Sequence, residues 1–208
     1  PHLDEVTGTF EEDDTAWTSD WTLPPGADVT VTAFAENEDG EASETTGEFS
    51  TLPAVEGQRL EIASNFPTSG DEVGVGMPVI LNFDLPVEHK AQVESAVEVL
   101  SDEPTEVAAN WVSDQMMVMR PSEFWEPYQD VTVNVRLAGV QFAEERFADR
   151  NYQINFEVGR EQITEMHIPD HEMTVSVDGE VEQTFPVSNG AENRHFDTTM
   201  SGTQLTME

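Results

Sequence analysis

Val131-Thr132-Val133-Asn134-Val135-Arg136-Leu137 places an apolar side chain at every second position, and Tyr152-Gln153-Ile154-Asn155-Phe156-Glu157-Val158 repeats the pattern. A period of two belongs to a strand with one face buried, because successive side chains of a strand point to opposite faces. Moving upstream, Val79-Ile80-Leu81-Asn82-Phe83 reads as a further strand. Asn110-Trp111-Val112 and Met116-Met117-Val118-Met119 flank Ser113-Asp114-Gln115, which is a hairpin signature. Arg59-Leu60-Glu61-Ile62-Ala63 opens the unit and Val99-Leu100 begins another strand. A helix is expected only over residues 88–97, where Ala91, Val93, Ala96 and Val97 fall at helical spacings. Roughly seven strands with regular turn signals fit an immunoglobulin-like (Ig-like) sandwich of about 100 residues, here residues 58–158. The expected fold class is all-β.

On the N-terminal side, Asp28-Val29-Thr30-Val31-Thr32-Ala33-Phe34-Ala35 is a strand pattern. It is followed by the turn Glu36-Asn37-Glu38-Asp39-Gly40 and a returning strand over residues 43–51. Val6-Thr7-Gly8-Thr9-Phe10 and Thr15-Ala16-Trp17-Thr18 flank the acidic turn Glu11-Glu12-Asp13-Asp14. About four strands suggest the back half of an Ig-like domain, so residues 1–53 are expected to be a partial N-terminal Ig-like domain. Leu52-Pro53 to Gly57 reads as a linker. Beyond Gly159-Arg160, Ile163, Met166 and Ile168 lie in one expected strand, and Met173, Val175 and Val177 in the next. Asp178-Gly179 then turns into Val181-Glu182-Gln183-Thr184-Phe185-Pro186-Val187. This meander is too short to bury a core alone.

The charge is extreme: 43 Asp and Glu against 8 Lys and Arg give a formal net charge of -35, and Lys90 is the sole lysine. Nucleic acid and anionic membrane surfaces both need a basic footprint and are strongly disfavoured as electrostatic partners. The apolar content, 37% in strand-like periods, argues for a folded chain rather than a disordered one. Adaptation to high salt fits this balance, since salt screens repulsion between surface carboxylates; an acidic surface selected for other reasons is the alternative. The chain has no cysteine, so disulfides, thiolate metal sites and cysteine nucleophiles are absent from these residues. No apolar stretch is long enough for a signal peptide core or a membrane span, so a membrane is expected only through an anchor outside this chain. Pro1 at the start, and an alternation at Gln204-Leu205-Thr206-Met207-Glu208 that runs on without a turn, lead to the expectation of a piece cut from a longer chain.

Several residue groups invite sharper readings. Gly74-Val75-Gly76 could cradle a phosphate, but no helix start or lysine follows, and a structural turn is the better reading. His167, Asp170 and His171 have spacings a metal could use, yet no third strong ligand is identifiable and Pro169-Asp170-His171 reads as a hairpin turn. Glu11-Glu12-Asp13-Asp14 lacks the alternating, glycine-containing pattern of a calcium loop. Trp111, Trp125, Tyr128 and Phe124 could line a glycan-binding face, but aromatics at strand and turn positions more often pack. Met116, Met117 and Met119 suit core gaps better than a binding surface. The expectation is therefore no catalytic residue, no cofactor-binding residue and no metal ligand in this chain.

Three ordered stretches carry a resemblance. They are Val73-Gly74-Val75-Gly76-Met77-Pro78-Val79 with Phe83-Asp84; Trp111-Val112-Ser113-Asp114 with Arg120-Pro121 and Phe124-Trp125-Glu126-Pro127; and Phe156-Glu157-Val158-Gly159-Arg160-Glu161-Gln162-Ile163 with the meander over residues 173–190. Together they resemble actinobacterial L,D-transpeptidases of the Ig-domain type, over about residues 28–208 and most strongly over 73–190. The resemblance implies Ig-like domains followed by a YkuD-like catalytic domain, of which residues 161–208 would be the N-terminal part. It implies a cell-wall enzyme acting on peptidoglycan stem peptides. In such an enzyme a histidine-activated cysteine thiolate forms an acyl-enzyme, and backbone amides stabilise the oxyanion. The family's Ser-His-Gly-Cys type motif has no counterpart here, so none of its catalytic residues maps onto this chain. Phe185-Pro186-Val187-Ser188-Asn189-Gly190 matches an early strand and turn of the family's catalytic domain, a structural element. A cell-surface adhesion or carbohydrate-binding module and an inactive homologue are the competing readings.

Overall fold

The computed structural model describes residues 6–11, 15–36, 40–55, 57, 59–188 and 202. The described residues are all-β apart from one short helix and one 3-10 turn. It opens with two hairpins. β1 (Gly8–Phe10) pairs with β2 (Trp17–Ser19), Phe10 opposite Trp17. β3 (Asp28–Glu36) pairs with β4 (Ala42–Ser50) along its whole length, from Asp28 opposite Ser50 to Glu36 opposite Ala42. Alternation puts Val29, Val31, Ala33 and Ala35 on one face of β3, with Phe49 across from Val29. None of these side chains is buried, and Phe34 on the other face is 75% exposed.

The middle of the chain supplies β5 (Ile62–Phe66), β6 (Glu72–Val73), β7 (Val79–Phe83), α1 (Lys90–Ser95), β8 (Val97–Ser101), β9 (Val107–Ser113), β10 (Met116–Pro121), β11 (Asp130–Val135), β12 (Gln141–Ala143), β13 (Arg146–Phe147) and β14 (Tyr152–Val158). Two four-stranded sheets, ordered β5-β7-β10-β9 and β6-β14-β11-β8, carry the structure, and β12 pairs with β13 in a small ribbon. All these pairings are antiparallel except β6 with β14. Val79, Leu81, Phe83, Met117 and Met119 from the first sheet join Val73, Val131, Val133, Val135, Ile154, Phe156 and Val158 from the second in one core. That interdigitation of two inner faces is how a sandwich excludes water. Every fully buried apolar side chain among the described residues lies between Leu60 and Val158.

A three-stranded meander follows: β15 (Gln162–His167), the 3-10 turn Ile168–Asp170, β16 (Glu172–Val177) and β17 (Glu180–Pro186), in the order β15-β16-β17. None of its residues is fully buried, although Ile163 packs partly buried against the sandwich core.

Local physics moved several expected boundaries. The helix is shorter than 88–97, because Val97 already pairs with Val135 as the first residue of β8. Its start has no side-chain cap; the backbone N–H groups of Glu88 and His89 both donate to the Phe142 carbonyl instead. Ile168 leaves the strand for the 3-10 turn, where Pro169 has no N–H to give a ladder. The turn at 37–39 and the acidic residues 12–14 lie outside the described residues. Among the described residues no helix is long and apolar enough to cross a membrane.

Candidate functional site

Two clusters of side-chain contacts, one at each end of β11, tie the sandwich to its flanking segments. At its N-terminal end, the loop from β10 is anchored by Trp125, which is 1% exposed. Its backbone N–H donates to the Val75 carbonyl at 2.8 Å and its indole Nε1 to the Met77 carbonyl at 2.7 Å. Met77 N–H closes the turn onto the Gly74 carbonyl, so Gly74-Val75-Gly76 is a structural turn, with the Val75 carbonyl taking the Trp125 backbone N–H and the Met77 carbonyl just after it taking the indole. The ring also meets Phe156 edge-on, with centroids 6.0 Å apart.

Three residues on, Tyr128 stands 67% exposed with φ 61. Its hydroxyl donates to Asp178 Oδ2 at 2.6 Å, in the β16–β17 turn. That bond holds the Tyr128 phenol above its ordinary pKa, because the neutral hydroxyl is the form that donates to the carboxylate. The sandwich and the meander are thus joined by side chains as well as by chain continuity.

The C-terminal end of β11, about 20 Å away along a six-residue strand, meets the N-terminal segment. Arg136, only 5% exposed, lies 3.5 Å from Glu98 and stacks its guanidinium over the Trp21 ring at 4.6 Å. Thr22 Oγ1 donates to the Ala138 carbonyl at 2.7 Å. Gly139, with φ +83, lets Leu23 approach so closely that a Cβ there would sit 2.1 Å from the Leu23 carbonyl oxygen. A third cluster braces the edge of the sandwich. Arg59 pairs with Asp149 at 3.0 Å, and Arg150 pairs with Glu61, which raises the Arg150 pKa further. Tyr152 accepts the Ile62 N–H at 3.3 Å, and burial pushes its phenol up.

The four aromatics considered for a glycan face go to different tasks. Trp125 is core. Trp111 is half-buried, stacked on Phe83 at 5.6 Å, covered by Lys90 Nζ at 5.5 Å and bonded through Nε1 to Glu94 at 2.5 Å. Tyr128 is engaged at the joint, and Phe124 is 45% exposed. Met117 and Met119 are core, with Met116 half-buried at the edge. His167 Nδ1 meets Asp170 Oδ2 at 2.5 Å, while His171 takes the left-handed conformation, its N–H on the Ile168 carbonyl. Among the described residues no three His, Asp or Glu side chains converge as a metal site would require. Tyr128 was read as a packing aromatic and Asp178 as a turn residue; what escaped was their partnership, which spans 50 positions of sequence. The readable signal was Pro127-Tyr128 and Asp178-Gly179, two turn dipeptides.

The profile of a family described as bacterial Ig domain matches residues 2–141. L,D-transpeptidase 5 of Mycobacterium tuberculosis is 30% identical over 210 residues, 98% of this chain and 45% of that protein. L,D-transpeptidase 2 of the same species is 30% identical over 188 residues, 90% of this chain and 45% of that protein. Among solved structures, an LD transpeptidase in complex with imipenem superposes with a TM-score of 0.53 at 32% identity, covering 64% of this chain and 55% of that one. An L,D-transpeptidase from Mycobacterium smegmatis gives 0.51 at 28% identity, covering 64% and 55%. The chain spans less than half the length of these two curated relatives.

Proposed function

This chain belongs to the bacterial Ig domain family, and on that footing we propose that it is the non-catalytic scaffold of a peptidoglycan L,D-transpeptidase. The observation that carries the reading is the reach of the likeness. The Ig match ends at residue 141, whereas the similarity to L,D-transpeptidase 5 covers 98% of the chain and so takes in β14 and the meander. An adhesion module would share only its Ig part with such an enzyme.

In this reading residues 1–53 are part of an N-terminal Ig-like domain, 58–158 a second one, and 161–208 the opening of the catalytic domain. The chemistry belongs to a part of the parent protein outside these residues, since a thioester needs a thiolate and the 208 residues hold no cysteine. There a cysteine attacks a stem-peptide carbonyl, D-alanine leaves, and an amine of a neighbouring stem resolves the thioester. The sandwich holds that machinery away from its point of attachment, in the cell wall or at the cell surface, and its acidic surface suits a salty medium.

Intact-mass spectrometry of the full-length parent protein with a carbapenem tests this. One adduct on a cysteine of the parent, and none on the 208-residue chain, is the expected result. A parent without a cysteine adduct would turn the reading towards an adhesion module or an inactive homologue.

A further inference from the structure

Gly159, Arg160 and Glu161 are all that separates β14 from β15. The connection is pinned on both sides. Gly159 donates its N–H to the Val73 carbonyl at 2.8 Å and accepts from Tyr128 N–H at 3.3 Å. Glu161 N–H donates to Asp178 Oδ1 at 3.1 Å, and Asp178 N–H returns a bond to the Glu161 carbonyl at 2.9 Å. Ile163 packs against the sandwich core just beyond. Tyr128 spans the two bodies through its 2.6 Å bond to Asp178 Oδ2.

The backbone at both partners is the second observation. Tyr128 and Asp178, with φ 61 and 49, are two of the four described non-glycine residues in the left-handed region, and they bond to each other. Asp178, followed by Gly179 at φ 80 between β16 and β17, is an ordinary Asp-Gly turn residue, whereas the bulky Tyr128 sits where glycine would be free of strain. A strained position that keeps a functional side chain points to what the side chain does. Asp178 uses both carboxylate oxygens, one on each side of the joint, which an amide could not do with its single acceptor oxygen.

We propose that Tyr128 and Asp178 form a latch that fixes the angle between the sandwich and the meander, making them positioning residues for whatever domain the meander opens. The latch rests on the joint alone, so its failure would leave the transpeptidase reading standing. The absence of cysteine allows two introduced thiols, Asn110→Cys on β9 and Glu182→Cys on β17, to be spin-labelled uniquely in the 208-residue chain. Pulsed electron resonance should give one narrow distance. Tyr128→Phe, which keeps the ring, and Asp178→Gly, which keeps the turn, should each lose that single distance to a broad distribution while the sandwich melts at its original temperature. A merely structural tyrosine would lower the melting temperature and leave the distance narrow. A broad distribution before substitution, or a narrow one persisting in Tyr128→Phe, would overturn the latch; so would broadening confined to Asp178→Gly.

Discussion

Single side chains decide the sandwich at a few positions, and Trp125 is the clearest. It fills core volume against Phe156 and satisfies the buried Met77 carbonyl. Trp125→Phe keeps an aromatic ring but orphans that acceptor and leaves a gap, so it should destabilise by about 2–4 kcal/mol. Urea unfolding should show this as a lower midpoint at unchanged slope. The two tyrosines of the chain give a second test at this scale. Both phenols are held above the ordinary tyrosine value in the folded chain, Tyr128 through its bond to Asp178 and Tyr152 through burial. A raised folded pKa contributes stability that is complete below the unfolded value and lost as pH rises through the folded one. The melting temperature should therefore hold up to about pH 10 and fall above it through the half-buried Tyr152, so Tyr152→Phe should flatten that alkaline fall, while Tyr128→Phe, at a solvent-screened hydroxyl outside the core, should leave it in place.

Elements differ in how openly they were written in the sequence. β7 and β14 were legible because burial follows their alternation, buried positions recurring at every second residue, whereas β11 shows the same sequence alternation although Asn134 is buried along with Val133 and Val135. β6 and the β12–β13 ribbon were not, since two or three residues are too few to show a period. α1 was legible in kind but not in length, because the pairing of Val97 with Val135 is a tertiary contact. The joints escaped for the same reason: Trp21 and Arg136, or Tyr128 and Asp178, meet only after folding. The joint at Gly139 can be tested on its own. Gly139→Ala forces a Cβ onto backbone at Leu23 and cannot keep φ +83 without strain. Chymotrypsin should then cut after Trp21 faster than in the parent chain, Leu23 being shielded by the following Pro24. Trypsin is no help there, as residues 1–58 contain neither Lys nor Arg. Unchanged cleavage would mean that the segment is held by other contacts.

At the scale of the whole molecule, one buried core between Leu60 and Val158 supports two flanks that bury no side chain fully among the described residues. The segment Trp21-Thr22-Leu23 between the two hairpins docks at one end of β11 and the meander at the other. A formal charge of -35 opposes this compact arrangement everywhere at once. Raising salt from about 0.1 M to 1 M shortens the screening length from about 10 Å to about 3 Å, so the melting temperature should climb over that range. A flat profile would remove the case for a salt-adapted surface. The scaffold reading itself is tested by D-alanine release from tetrapeptide stems, measured side by side for the full-length parent protein and for this chain. The account predicts release by the parent and nothing above the blank from the 208 residues. Turnover by this chain, or a parent that releases none, would contradict it.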